Sequence, residues 1–167
     1  MNSKILKKCK KVKILLTDVD GVLTDGGMYY SKDGDIMKKF FARDGMGVTL
    51  LRKKQIHTII VTKEKTLMVR KWAKKMAIKK ILDGIVSKET VLTKICKDFR
   101  VTPQEIAFIG DDVNDLELLK IVGMSASPSD AIKDVKKQSD YVCKTEGGRG
   151  AFRELVDLIL SSKSHKI

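Results

Sequence analysis

Histidine is nearly missing from this chain. The two present, His57 and His165, lie far apart and neither has a partner at metal-ligand spacing, so a zinc centre and histidine-based catalysis are both excluded from the reading. Cysteine is scarce as well. Cys9, Cys96 and Cys143 are odd in number and scattered, the usage of a reducing compartment, and Cys96 and Cys143 are expected to be core thiols. No apolar run approaches the roughly 18 residues that a membrane span requires. The opening segment MNSKILKKCKKVKILL places positive charge before a short apolar stretch but has no small-residue cleavage site, so a cytoplasmic location is expected. Aromatic residues, at 5%, are too few to interleave with the lysines and stack bases, and the net charge of +13 therefore predicts a solvated basic surface that attracts small anions, with no nucleic acid and no membrane as partner. The densest basic cluster, Lys7, Lys8, Lys10 and Lys11, reads as a frayed, solubilising arm.

Against that basic background the acids are the minority charge, and where they cluster is informative. The run LLTDVDGVLTDG places Asp18 and Asp20 directly after an apolar strand. Residues i and i+2 of a strand point the same way, so two negative charges crowd one side of the chain unless a cation or a proton intervenes. A second cluster, GDDVND from Gly110 to Asp115, also follows an apolar strand, IAFI, and also precedes a helix. Carboxylates converging from two strand ends make a hard-oxygen site, for which Mg²⁺ is the expected cation because it takes few protein carboxylates and keeps waters that a phosphate can displace. Thr62, which ends the strand HTIIV, and Lys88, which opens a helix within IVSKET, supply a hydroxyl and an ammonium for phosphate oxygens.

The apolar runs VKILL, HTIIV and IAFIG, each followed by an amphipathic stretch, predict βαβ units: an α/β, Rossmann-like parallel sheet with helices on both faces. Helices are predicted over 45–54, 66–76, 88–99, 115–121 and 151–160, and TPQE from Thr102 to Glu105 predicts a capped turn. No Pro/Gly/Ser linker divides the chain, so a single domain over residues 1–167 is expected. One stretch breaks the alternation. Residues 26–45, GGMYYSKDGDIMKKFFARDG, have two strand-like arms about a SKDGD turn and predict a protruding β-hairpin at the carboxyl end of the sheet.

The order DxD, strand-end Thr, Lys, then GDDxxD resembles the haloacid dehalogenase superfamily of phosphohydrolases over nearly the whole chain, from Val12 to Leu160. The resemblance implies that Asp18 is the nucleophile that forms an aspartyl-phosphate and that Asp20 is the general acid and then the base. It further implies that Mg²⁺ is held by the Asp18 carboxylate, the Asp20 backbone carbonyl and Asp111, with Asp115 behind them. The chain is too short to carry an inserted cap domain, and only the hairpin fits where one would be. DVDGVLTDG, FARDGMGV, GDDVNDLELLKIVG and EGGRGAFRELVDLIL are similar to the capless branch that contains 3-deoxy-D-manno-octulosonate (KDO) 8-phosphate phosphatases and nonulosonate 9-phosphate phosphatases, such as that for 2-keto-3-deoxynononate (KDN).

That branch implies a phosphorylated sugar acid as substrate and a homotetramer assembled through the hairpins. It also implies substrate contacts from Phe41, Arg43, Asp44, Gly45, Glu64, Asn114 and Arg149, the last reaching a neighbouring subunit's site. The chain departs from the KDO 8-phosphate pattern at Thr62-Lys63-Glu64, where Thr-Gly-Arg is usual, and at Trp72, where many members have an arginine. Glu64 with Lys75 looks more like the KDN 9-phosphate pattern, in which such a pair positions the acid/base aspartate. The alternative reading is a non-catalytic tetramerisation domain related to those fused to CMP-sialate synthetases. Retention of Asp18, Asp20, Lys88 and Asp111 weighs against it.

Overall fold

The computed structural model describes residues 3–164, so His165 lies outside the described residues. Six short strands form one parallel sheet in the order β5-β4-β1-β6-β7-β8: β1 Ile14–Thr17, β4 His57–Val61, β5 Lys80–Leu82, β6 Ile106–Ile109, β7 Met124–Ser127 and β8 Tyr141–Val142. Alternation along the strands feeds two cores. Leu15, Ile60, Ala107 and Ile109 face one side, against α1 Ser3–Lys11, α2 Ala42–Lys53, α3 Leu67–Lys75 and α7 Ala151–Ser164. Ile14, Leu16, Ile59, Val61, Ile106 and Phe108 face the other, against α4 Leu92–Phe99, α5 Leu116–Ile121 and α6 Lys133–Gln138. Burial on both faces is why these strands read as continuous apolar runs.

The chain leaves β1 for β4 and β5 on one side, then returns to β6 on the other, so connections diverge on either side of β1. Ligands in open α/β sheets bind at such a divergence, outside the carboxyl ends of the strands. The ladder continues one residue past each strand end there: the Asp18 N–H donates to the Ile109 carbonyl at 3.1 Å and the Thr62 N–H to the Leu82 carbonyl at 2.9 Å. The Gly110 N–H likewise donates to the Ala126 carbonyl at 3.2 Å, so Asp18, Thr62 and Gly110 are all fixed by the sheet itself.

The hairpin is present but smaller than expected. Its strands, β2 Tyr29–Ser31 and β3 Gly34–Met37, form a separate antiparallel pair. Residues 42–44 belong to α2 instead, which begins three residues earlier than predicted. The lysine-rich start is a correction too: it is the helix α1, whose Cys9 is fully buried and whose Lys8 pairs with Asp140 at 2.5 Å. Of the two expected core thiols Cys143 is buried, while Cys96 is only half-buried. No helix among the described residues is long and apolar enough to cross a membrane.

Candidate active site

Lys88 organises the acids. It opens a 3₁₀ turn, Lys88–Val91, ahead of α4, and its side chain is wholly buried, with Nζ 2.7 Å from Asp18 Oδ2 and 2.6 Å from Asp115 Oδ1. A buried ammonium is tolerable only when paired, and here it has two carboxylates. Asp115 is in turn held from the other side. A capping box, Asp112 with Asp115, starts the turn before α5, and Asp115 Oδ2 accepts the Asp111 N–H at 2.8 Å and the Asp112 N–H at 3.2 Å. Both oxygens of Asp115 are therefore occupied by donors, which makes it a buttress.

Asp18 and Asp111 have capacity left over. Asp18 Oδ1 accepts the Val19 N–H at 2.7 Å, while the buried Asp111 Oδ1 has no partner. Carboxylate oxygens of Asp18, Asp111 and Asp115 lie within 4.8 Å of one another. Burial and mutual repulsion push the Asp18 carboxyl up to about 7 against the pull of Lys88. Burial and the Asp18 charge push Asp111 up to about 8. One ammonium does not balance three crowded acids, and an orphaned buried oxygen beside them fits a hard divalent cation.

The acids open onto a cavity of about 240 Å³ lined by Asp18, Asp20, Gly21, Gly26, Thr62, Lys63, Glu64, Asp111, Asp112 and Asn114. Gly21 is obligatory there: its φ is +80° and a Cβ would lie 2.0 Å from Asp111 Oδ2. The GGRG turn packs behind the loop that carries Asp20. The Gly148 N–H donates to the Val22 carbonyl at 2.9 Å, and a Cβ on Gly147 would meet the Gly21 carbonyl oxygen at 1.9 Å. Asp20 is held by two donors on one oxygen, Thr24 Oγ1 at 3.2 Å and Lys38 Nζ at 2.6 Å, both to Oδ1.

Of the expected site residues, Asp18, Asp20, Thr62, Glu64, Asp111 and Asn114 line the cavity, with Lys88 and Asp115 directly behind. Phe41, Arg43, Asp44, Gly45 and Arg149 do not reach it within this chain. Asp44 is the clearest correction: it is fully buried, and its Oδ1 accepts the Arg153 N–H at 2.9 Å, capping the first turn of α7. Gly45 is buried too, and a Cβ there would lie 2.5 Å from Met76 Sδ. Phe41 and Gly45 line a second cavity with Phe40, Trp72 and Lys75, Arg43 is exposed on α2, and Arg149 is exposed and paired with Glu146. Glu64 and Lys75 line different cavities, so the side chains on Asp20 are Lys38 and Thr24. Trp72 stacks on Phe40 at 4.6 Å. Sequence reasoning missed Lys38 and Asp112. A lysine inside the apolar arm DIMKKFF was the available signal for the first, and a cap Asp three residues before Asp115 for the second.

Comparison with known proteins agrees with this geometry. A family model for haloacid dehalogenase-like hydrolases matches residues 46–155. The 3-deoxy-D-manno-octulosonate 8-phosphate phosphatase of Haemophilus influenzae is 37% identical over 157 residues, 94% of this chain and 87% of that protein. Its cobalt-bound structure superposes with a TM-score of 0.91 over 93% of this chain and 91% of that one. The corresponding phosphatase of Moraxella catarrhalis, in complex with magnesium ion, phosphate ion and KDO, gives a TM-score of 0.94 at 33% identity, over 98% of this chain and 94% of that one.

Proposed function

Because this chain belongs to the haloacid dehalogenase-like hydrolases, we propose that it is a Mg²⁺-dependent phosphatase that cleaves the phosphomonoester of a 3-deoxy-2-ulosonic acid, with KDO 8-phosphate the first substrate to expect. The observation that carries this reading is the orphaned, buried Asp111 oxygen beside Asp18, with Lys88 and Asp115 behind, at the floor of the cavity. Asp18, Asp111 and the Asp20 carbonyl would hold the cation, which supplies charge stabilisation to the transferring phosphoryl group.

In this reading Asp18 attacks phosphorus and the bond from phosphorus to the sugar oxygen breaks, while a proton passes from Asp20 to that oxygen. A water then attacks the aspartyl-phosphate, Asp20 takes its proton, and Asp18 returns to a carboxylate as inorganic phosphate leaves. Lys88 keeps Asp18 oriented throughout, and Thr62, which lines the cavity at the strand end, would offer its hydroxyl to a phosphate oxygen. The exposed apolar arms of the hairpin support self-association, and in this reading four copies assemble so that a neighbour supplies Arg149 to the sugar acid.

A phosphate-release screen tests the reading. KDO 8-phosphate, KDN 9-phosphate and N-acylneuraminate 9-phosphate are each offered with Mg²⁺ and after chelation, and release from KDO 8-phosphate with Mg²⁺ alone is expected. Preference for a 9-phosphate would move the substrate to the nonulosonates, in line with Lys63 and Glu64. Release from none would leave the non-catalytic tetramerisation domain as the better reading.

A further inference from the structure

The hairpin is tied to the loop after β1 by two consecutive lysines, and the two ties differ in kind. Lys39 pairs with Asp25 at 2.9 Å, with side chains 49% and 27% exposed, an ordinary surface contact. The side chain of Lys38, next to it, is only 2% exposed, although the residue as a whole is half-buried and Met37 beside it is half open to solvent. Its Nζ reaches Asp20 Oδ1 at 2.6 Å. Burying an ammonium is costly without a partner, so a lysine drawn under an otherwise open hairpin onto one carboxylate oxygen is specified by that oxygen. Lys38 is not among the residues lining the cavity. It approaches Asp20 from the hairpin side.

Resting on the reading of Asp20 as acid and base, we propose that Lys38 is a positioning residue for Asp20, through which the hairpin sets the geometry of proton transfer to the leaving oxygen. Lys38 and Thr24 both donate to Oδ1, so the carboxyl plane is fixed and Oδ2 is left to the cavity. Oδ2 then carries the proton that moves to the sugar oxygen as its bond to phosphorus breaks, and Oδ2 receives the proton of the attacking water afterwards. Lys38 acts in both halves as a hydrogen-bond donor to Oδ1 and takes no part in the transfer. A carboxyl free to rotate would present either oxygen at varying distance, and a misplacement of about 1 Å costs on the order of 10²-fold in rate.

The test compares Lys38→Met, Lys38→Arg and Lys39→Ala in the full chain with Mg²⁺, on KDO 8-phosphate and on 4-nitrophenyl phosphate. Lys38→Met should lower kcat on KDO 8-phosphate by about 10²-fold with KM little changed, because it touches the proton donor and not the substrate. On 4-nitrophenyl phosphate the leaving group needs no proton, so its first turnover should release one equivalent of nitrophenolate per site at near the wild-type rate, followed by slow steady state. Lys38→Arg should recover most of the loss, and Lys39→Ala should behave as wild type on both substrates.

A Lys38→Met variant as active as wild type on KDO 8-phosphate would overturn the proposal. So would an equal fall in the nitrophenolate burst, or a loss lying in KM, since these belong to a disturbed fold or to a substrate contact. A loss in Lys39→Ala as large as in Lys38→Met would overturn it too, by showing that tethering alone matters. A wild type silent on every sugar acid phosphate refutes the functional reading and this inference together. An active wild type with an indifferent Lys38 refutes the inference alone.

Discussion

At the scale of the residue, the site is a problem of paired and unpaired charge. Lys88 has two carboxylates and Asp115 has three donors, so Lys88→Met would leave Asp18 and Asp115 buried together without their cation. Breaking such a buried pair costs about 3–5 kcal/mol, and thermal melting of the variant should show a large drop together with lost turnover. Gly21→Ala is a steric counterpart. It forces a side chain into left-handed backbone and into Asp111, and should lose about 1–2 kcal/mol of stability with weakened Mg²⁺ binding by calorimetry. Asp20→Asn should lower turnover of the sugar phosphate by about 10²–10⁴-fold, the range for lost acid/base catalysis. Asp44 carries a pH signature of its own: burial pushes its carboxyl up to about 6, above the ordinary value of 3.8. The folded state therefore holds the proton more tightly than the unfolded chain, so this group's contribution to stability falls as pH rises between about 4 and 6. Urea unfolding at pH 4.5 and 7.5 should show wild type losing stability relative to Asp44→Asn over that interval, and parallel behaviour would mean that Asp44 is more solvated than its burial implies.

At the scale of the element, the sequence revealed the strands that carry chemistry and hid those that do not. β1, β4 and β6 are runs of Ile, Leu, Val and Phe that end on Asp18, Thr62 and Gly110, so apolar pattern and motif coincide. β7 is MSAS, four buried residues of which two are serines, and β5 and β8 have three and two residues; none presents an apolar run. α1 was obscured by its lysines, although Ile5, Leu6 and Cys9 lie on one helical face and Cys9 is fully buried. The acids and Lys88 were legible because their positions follow strand and helix ends. Asp44 and Gly45 were expected at the substrate, and no pattern announces that α2 begins at Ala42 and turns them toward α7 and Met76 within this chain. The partner of Asp20 was illegible for a related reason: a contact between Lys38 and Asp20 depends on how the hairpin leans, which strand periodicity does not encode.

At the scale of the whole molecule, a chain without a cap leaves its phosphoryl site open, and the hairpin is the element with surface to spare. Met28, Tyr30 and Ile36 are 57%, 62% and 60% exposed, more apolar surface than two short strands keep in water without a partner. Phe40 stacks on Trp72 of its own chain, so Tyr30→Asp with Ile36→Asp is the cleaner probe of assembly. The native protein should sediment as a tetramer and the double variant as smaller species with reduced sugar-phosphate activity. A native monomer fully active on the sugar phosphate would remove the hairpins from assembly. The proposed chemistry turns on one carboxylate at the end of β1, that of Asp18. Its most direct test is phosphate release from KDO 8-phosphate by wild type and Asp18→Asn, each with Mg²⁺ and after chelation, alongside circular dichroism. Release by wild type with Mg²⁺ alone, and background rates from a folded Asp18→Asn, are predicted; release near the wild-type rate by Asp18→Asn or by the chelated enzyme would contradict it.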